Sequence, residues 1–190
     1  MDTLLTLLMS IYPLSEELIN YLRANLEIKE LKKGDYLLRK GRICTHIYFI
    51  ESGHLRCFYE KNGAEATSWL MIEGNVIVSV SSFFNQKQSR ESIQALEDTV
   101  VIGISFEKLE YINRTFIEFN FHGRVLSQKY YAISDDQLYA IKMQRAPERY
   151  LHMLETQPEL FDRVPAKYIA SLLGISVETL SRIRNKYKSK

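Results

Sequence analysis

Between Ile28 and Ser105 glycine interrupts the apolar runs roughly every ten residues, at Gly34, Gly41, Gly53, Gly63 and Gly74, and no other feature narrows the possible folds so far. The intervening runs, such as "HIYFIES", "HLRCFYE" and "VIVSV", are rich in β-branched and aromatic residues and are short enough for strands. Regular turn signals between such runs predict an antiparallel sandwich or barrel. "SGH" and "NGA" are the clearest turns, and Asn62-Gly63 has the chemistry of a hairpin turn.

The patterns on either side are helical. Leu14 to Asn25 is amphipathic, with Ser15 placed to cap it just after Pro13. Beyond Ser105 the apolar period lengthens from two to about three and a half. Phe116, Phe119, Gly123, Leu126, Tyr130, Ile133, Gln137 and Ala140 alternate in steps of three and four, predicting a long helix from about Thr115 to Lys142. A second stripe, Ile117, Phe121, Val125, Tyr131 and Leu138, lies on the same segment. A helix with two apolar faces needs two partners, so one face is expected on the strands and the other on a second copy of the chain. Pro147, Pro158 and Pro165 each stand where they can open a helix. They divide the tail into about 146–155, a short turn at 158–162, then 165–173 and 176–186.

At 190 residues, with 46% hydrophobic and 25% charged residues, the chain has material for a buried core without disulfide or metal staples. Cys44 and Cys57 lie inside strand-like runs rather than in a CxxC pair, and read as buried thiols in a reducing compartment. The apolar start lacks a basic region, carries Asp2, and breaks at Pro13 before reaching a membrane span. A cytoplasmic protein with no membrane partner is expected. The formal net charge of +2 conceals an asymmetry: from Tyr139 onward ten Lys and Arg face five Asp and Glu, a local net of +5, leaving −3 before it. That division suits a basic C-terminal module facing a polyanion, or a solvated helix face.

The most specific stretch is "AKYIASLLGISVETLSRIR", from Ala166 to Arg184. Two helices that cross tightly need a small residue at the crossing, which Ala170 supplies, and a turn residue tolerant of positive φ, which Gly174 supplies. Ile169, Leu173, Ile175, Leu180 and Ile183 fall where such a pair buries its inner face, and Ser176 stands at the N-cap of the second helix. Ser176, Val177, Glu178, Ser181, Arg182 and Asn185 are left pointing outward. A guanidinium at Arg182 can fork onto guanine O6 and N7, and the Glu178 carboxylate can accept from cytosine N4. Ser176, Thr179 and Ser181 suit phosphate oxygens, and Lys167, Arg184, Lys186, Lys188 and Lys190 add positive charge. The competing reading is an exposed Glu178–Arg182 pair one turn apart, with no ligand.

The order of glycine-punctuated strands, long helix and helix-turn-helix resembles the Crp/Fnr family of bacterial transcription regulators. The residues carrying the resemblance are "LKKGDYLLRKG", "IYFIESGHLRCFYEKNGAE", "ALEDTVVIGIS" and "IASLLGISVETLSRIR". It implies an α+β chain: a jelly-roll-like antiparallel β-roll (a double-stranded β-helix) as sensor at 1–114, a long dimerisation helix at 115–142, and a helix-turn-helix module at 143–190. It further implies a palindromic double-stranded DNA operator, a homodimer, and RNA polymerase as a partner, with reorientation about Met143 to Pro147 as the response. By the same similarity Glu178 and Arg182 take the base-reading roles, whereas Val177 stands where many members carry a basic residue. The family's β-hairpin wing has no counterpart before Lys190. The basic tail from Lys186 is expected to substitute for it in part.

The resemblance also locates a departure. In the cyclic-nucleotide branch a glutamate meets the ribose and an arginine meets the cyclic phosphate. Counting back from Ile104 and Ser105 places Ser79 and Ser89 at those positions, with Val80, Ser81 and Arg90 beside them. Without a charged partner the phosphodiester would lose hydrogen bonds worth about 1.5–3 kcal/mol each, so cyclic AMP is not expected to bind in the usual way. No effector or cofactor is assigned in its place. A cluster held by four thiolates is excluded by the presence of two cysteines. For haem, Cys44, Cys57, His46 and His54 are available, but the histidines read as strand-edge or surface residues. No catalytic motif appears among the four scattered histidines or elsewhere, so an enzyme is not expected. A sensor or scaffold whose helical module binds protein is the alternative to DNA reading.

Overall fold

A computed structural model describes residues 1–188. Ser189 and Lys190, at the end of the basic tail, lie outside the described residues. Helices α1 (Asp2–Ile11) and α2 (Glu16–Asn25) precede strands β1 (Glu27–Leu31), β2 (Tyr36–Leu38), β3 (His46–Ser52), β4 (His54–Lys61), β5 (Ala64–Ile72) and β6 (Val76–Ile77). A short helix, α3 (Val80–Asn85), separates these from β7 (Glu91–Ala95) and β8 (Thr99–Ser105). The remainder is helical: α4 (Phe106–Thr115), α5 (Phe119–Met143), α6 (Ala146–Thr156), α7 (Leu160–Arg163), α8 (Ala166–Leu172) and α9 (Val177–Lys188).

The strands form two four-stranded antiparallel sheets, ordered β1-β8-β3-β6 and β2-β7-β4-β5, and no closed barrel occurs among the described residues. Gly34, Gly41, Gly53, Gly63 and Gly74 all adopt positive φ, the conformation their turns require. At the hairpin between β4 and β5, Asn62 (φ 54°) and Gly63 (φ 78°) are both left-handed, as a type I′ turn demands of its central residues.

Alternation along each strand divides the apolar side chains among three cores. Ile50, Leu55, Cys57, Ile93 and Val101 point between the sheets, where Phe83 of α3 joins them. Their neighbours Phe49 and Ile102 point the other way, under a helical layer supplied by Leu5, Leu8, Leu18, Leu22 and Ile112. On the far side of the second sheet, Leu70 and Leu96 belong to a core whose other members, including Tyr150, Leu160 and Ile169, lie in the C-terminal helices. Cys44 and Cys57 are buried free thiols, and burial raises the pKa of both.

Ser15 caps α2 as its position predicts, accepting a hydrogen bond from the Leu18 amide at 3.3 Å. The long helix begins later than the apolar period suggests. The chain leaves helical geometry at Phe116, which is extended (φ −111°, ψ 90°), so α4 ends at Thr115 and α5 starts at Phe119. Phe116 is packed against the helical-layer core, so the apolar rhythm continues across a break in the backbone. On α5 the first stripe faces inward. Phe119 is buried, Tyr130 packs on the roll, and its hydroxyl accepts a hydrogen bond from the Val76 amide at 2.7 Å. Of the second stripe, Ile117 just before α5 is 81% exposed, Tyr131 78% exposed, and Phe121 and Leu138 are exposed, while Val125 is half-buried; Tyr139, Ile141 and Met143 at the end of the helix are exposed as well.

Candidate nucleic-acid interface and effector cleft

The C-terminal pair is built as its spacing predicts. Ala170 is buried at the crossing, and Gly174 turns the chain with φ 65°. The Ile175 amide donates back to the Ala170 carbonyl at 3.0 Å, and the Gly174 amide to the Ser171 carbonyl at 3.1 Å, closing the end of α8. Arg149 of α6, which the sequence did not single out, secures the same turn: its Nε and Nη2 donate to the Leu173 carbonyl at 3.1 and 2.8 Å. Ser176 caps α9, its hydroxyl accepting from the Thr179 amide at 3.2 Å.

Leu180 and Ile183 are buried, while Ser176, Val177, Glu178, Ser181, Arg182, Asn185 and Lys186 are exposed along the outside of α9. Thr179 is half-buried beside the cap, where its hydroxyl lies 3.2 Å from that of Ser176. Lys167 is exposed on α8, its Nζ 4.7 Å from the Tyr168 ring centroid. Arg184 turns inward instead, its guanidinium 5.3 Å from the Phe161 ring centroid. The Glu178 carboxyl is held below its ordinary range, first by the Ser176 hydroxyl and only weakly by Arg182. No close Glu178–Arg182 ion pair occurs among the described residues. One anionic and one cationic side chain are thus displayed one turn apart on a solvent-facing helix.

This pair does not hang free of the strands. Alpha-helix α8 lies against β5, where Ser171 Oγ accepts a hydrogen bond from the Thr67 amide at 2.9 Å. Arg163 of α7 reaches Glu73 at 3.1 Å and also Glu97, both in the roll. Between these points Arg56 of β4, only 1% exposed, is stacked between two rings: Phe58 at 3.9 Å from its own strand and Tyr168 of α8 at 3.8 Å. Its Nη1 donates to Glu65 at 2.8 Å and its Nη2 to Gln94 at 3.0 Å.

The second cluster lies at the start of α3. Ser79, Ser81, Lys87, Arg90, Glu91 and Tyr59 are among the residues lining a cleft of about 380 Å³. Ser79 and Ser89 are buried and their hydroxyls are 2.9 Å apart. The Ser79 hydroxyl also reaches Glu91 Oε1 at 2.8 Å, so the two serines close on each other and on a carboxylate. Burial raises the Glu91 pKa, opposed by the hydrogen bonds it accepts. Val80 is 61% exposed and faces away. Arg90 lines the cleft from a bend before β7, where strict strand alternation does not apply. A phosphodiester here would meet Glu91, a like charge that the sequence reading overlooked although it adjoins Arg90. Cyclic AMP is therefore expected to leave the unfolding midpoint unchanged. A ligand held at a hundred times its dissociation constant would add about 2.7 kcal/mol, and a clear rise in thermal midpoint with cyclic AMP would contradict this reading.

His46 stands half-buried at the start of β3, as a strand-edge residue, whereas His54 does not lie at an edge or the surface. His54 is fully buried and neither ring nitrogen has a protein partner, and burial lowers its pKa to about 4. His122 is also fully buried, with its ring nitrogens 3.2 and 3.0 Å from the carbonyls of Glu118 and Tyr12. Strand and helix patterns do not register a histidine that replaces an apolar residue in packing. Among the described residues no group of His, Cys, Asp or Glu is arranged to hold a metal ion, and no helix is long and apolar enough to cross a membrane.

Residues 28–115 match the family described as the cyclic nucleotide-binding domain. Over 174 residues the chain is 27% identical to the transcriptional activator protein FnrA of Stutzerimonas stutzeri, an alignment covering 84% of this chain and 70% of FnrA. Against the transcriptional activator protein Anr of Pseudomonas protegens it is 26% identical over the same length and coverage. Residues 28–115 thus carry the cyclic nucleotide-binding domain, and over most of its length the chain is similar to these two transcriptional activators. FixK2 of Bradyrhizobium japonicum shares the fold, with a TM-score of 0.73 at 16% identity over 86% of this chain and 85% of FixK2. The relatives named are transcription activators rather than enzymes. Within the matched residues the Ser79 hydroxyl is hydrogen-bonded to both Ser89 and Glu91.

Proposed function

We propose that the chain is a sequence-specific DNA-binding transcription regulator that acts as a homodimer, with Glu178 and Arg182 reading base edges in the major groove. The observation that carries this reading is the outer face of α9, exposed and polar while Leu180 and Ile183 on the opposite face are buried. Ser176, Thr179 and Ser181 are assigned to phosphate oxygens, with Val177, Asn185, Lys186 and Lys167 completing the contact surface. Nothing in the fold or the relatives favours a protein-binding module instead.

Residues 1–114 serve as the sensor roll, 115–142 as the dimerisation segment and 143–190 as the reader. The exposed second stripe of α5 supports the dimer, because large apolar side chains in a row on a 25-residue helix are stabilised by burial against a copy of themselves. Two readers related by that pairing would address a palindromic operator with half-sites about one turn, roughly 34 Å, apart. A cytoplasmic location and RNA polymerase as a further partner complete the reading, supported by the similarity to the two transcriptional activators.

Selection of bound fragments from random genomic DNA with the purified protein tests the reading. A palindrome with one preferred half-site separation is the expected product, recovered with or without cyclic AMP. Fragments without a common sequence would contradict it.

A further inference from the structure

We infer that the reader is held in its reading orientation by the outer face of the roll, and that Arg56, Glu73 and Glu97 are positioning residues that set the half-site separation the dimer accepts. This rests on the DNA-reading function proposed above. Family resemblance alone suggests a module that swings about Met143 to Pro147. Here, however, the reader and the roll share a core: Leu70 of β5 and Leu96 beyond β7 are buried together with Tyr150, Leu160, Val164 and Ile169. Swinging the module away would return these side chains to water.

Polar contacts give the junction a single register. An apolar interface can slide, but the buried Arg56 guanidinium has one arrangement in which it lies between Phe58 and Tyr168 while bonded to Glu65 and Gln94. Displacing Tyr168 uncovers a charge that is otherwise 1% exposed. Arg163 spans two roll carboxylates, Glu73 and Glu97, and Ser171 receives the Thr67 amide. These points run from α7 along α8, so both translation and rotation are restrained.

Docking and reading use different faces. The roll is contacted through Arg163, Tyr168 and Ser171, whereas Ser176, Glu178, Ser181 and Arg182 remain exposed on α9. The reader can therefore enter a groove without leaving the sheet. In the proposed dimer the distance between recognition helices is then fixed by each roll as well as by the paired α5 helices.

The test uses full-length protein and changes only roll residues, which do not lie on the reading face. One variant is the double substitution Glu73→Gln/Glu97→Gln, at partly exposed positions; the other is Arg56→Met, which keeps bulk and removes the fork. Binding is measured to duplexes carrying one half-site, and to a series of two-half-site duplexes whose separation changes one base pair at a time. Single-half-site affinity is expected to stay within about twofold of wild type, while preference for the best separation over its neighbours falls about tenfold, equivalent to 1.4 kcal/mol. Arg56→Lys, lacking the planar fork, should fail to restore it. Unchanged separation preference in both variants would overturn the inference, as would tighter operator binding, because the reader would then have to leave the sheet to read. If wild type favours no duplex over another, the DNA-reading function itself fails and the inference falls with it, an outcome distinct from a selective wild type whose variants are unaltered.

Discussion

Replacing Arg182 by alanine is expected to weaken operator binding by about 1–3 kcal/mol and to relax discrimination at one base pair in each half-site, leaving affinity for unrelated duplex nearly unchanged. The side chain is exposed on the outer face of α9, has no close ion-pair partner among the described residues, and lies one turn from Glu178. Its removal should cost the fold little, because surface changes away from packed or paired groups typically fall within about 0.5 kcal/mol. A phosphate contact would behave differently: its loss would lower affinity on every sequence alike and flatten the salt dependence. Titration of the variant against the operator and against each single-base substitution separates the two. Unaltered selectivity would remove Arg182 from the base-reading role.

Acidification is expected to destabilise the protein through His54. Folded, its pKa is lowered from 6.5 to about 4, chiefly by burial; Glu97 and Glu73 favour its protonation and Arg163 opposes it. The unfolded chain therefore binds a proton below about pH 6.5 that the folded chain takes up only near pH 4. This contribution is fully present above pH 6.5 and is lost as pH falls through that window, a difference of about 3 kcal/mol in all. Glu91 acts in the opposite sense: its raised pKa lets the folded chain bind a proton before the unfolded one, adding stability on acidification. The comparison is therefore made between wild type and His54→Leu, by denaturant unfolding at pH 7 and at pH 4.5. The variant should lose less stability between those values than wild type does. Equal losses would show that His54 does not carry the acid response.

The sequence predicts the turn-bounded strands well because glycine is a local requirement. Each positive φ in the roll falls at a glycine, or at Asn62 and Gln86, where a short polar residue or a helix end accepts it. The helix-turn-helix was legible for the same reason: Ala170, Gly174 and Ser176 answer to backbone needs within a few residues of themselves. Three features were not. The break at Phe116 contains neither glycine nor proline, and its ring packs in rhythm with its neighbours, so apolar spacing cannot detect it. Glu91 comes beside Ser79 only when β7 folds back on the start of α3, and that turn, with its bend at Arg90, follows neither strand nor helix spacing. Docking of the reader left one trace: the unbroken run Trp69 to Ile72 is apolar on both faces of β5, which is consistent with a covered outer surface. Arg56, polar and within a strand, gave no sign of lying in that covered surface.

A DNA-reading role requires that the exposed face of α9 distinguish one DNA sequence from another. Equilibrium competition between the selected palindrome and a scrambled duplex of equal length, followed over rising salt, measures this directly. A preference of about a thousandfold or more for the palindrome is expected, with affinity for both falling steeply as counterions are released. Equal affinity for the two duplexes, or binding insensitive to salt, would contradict it.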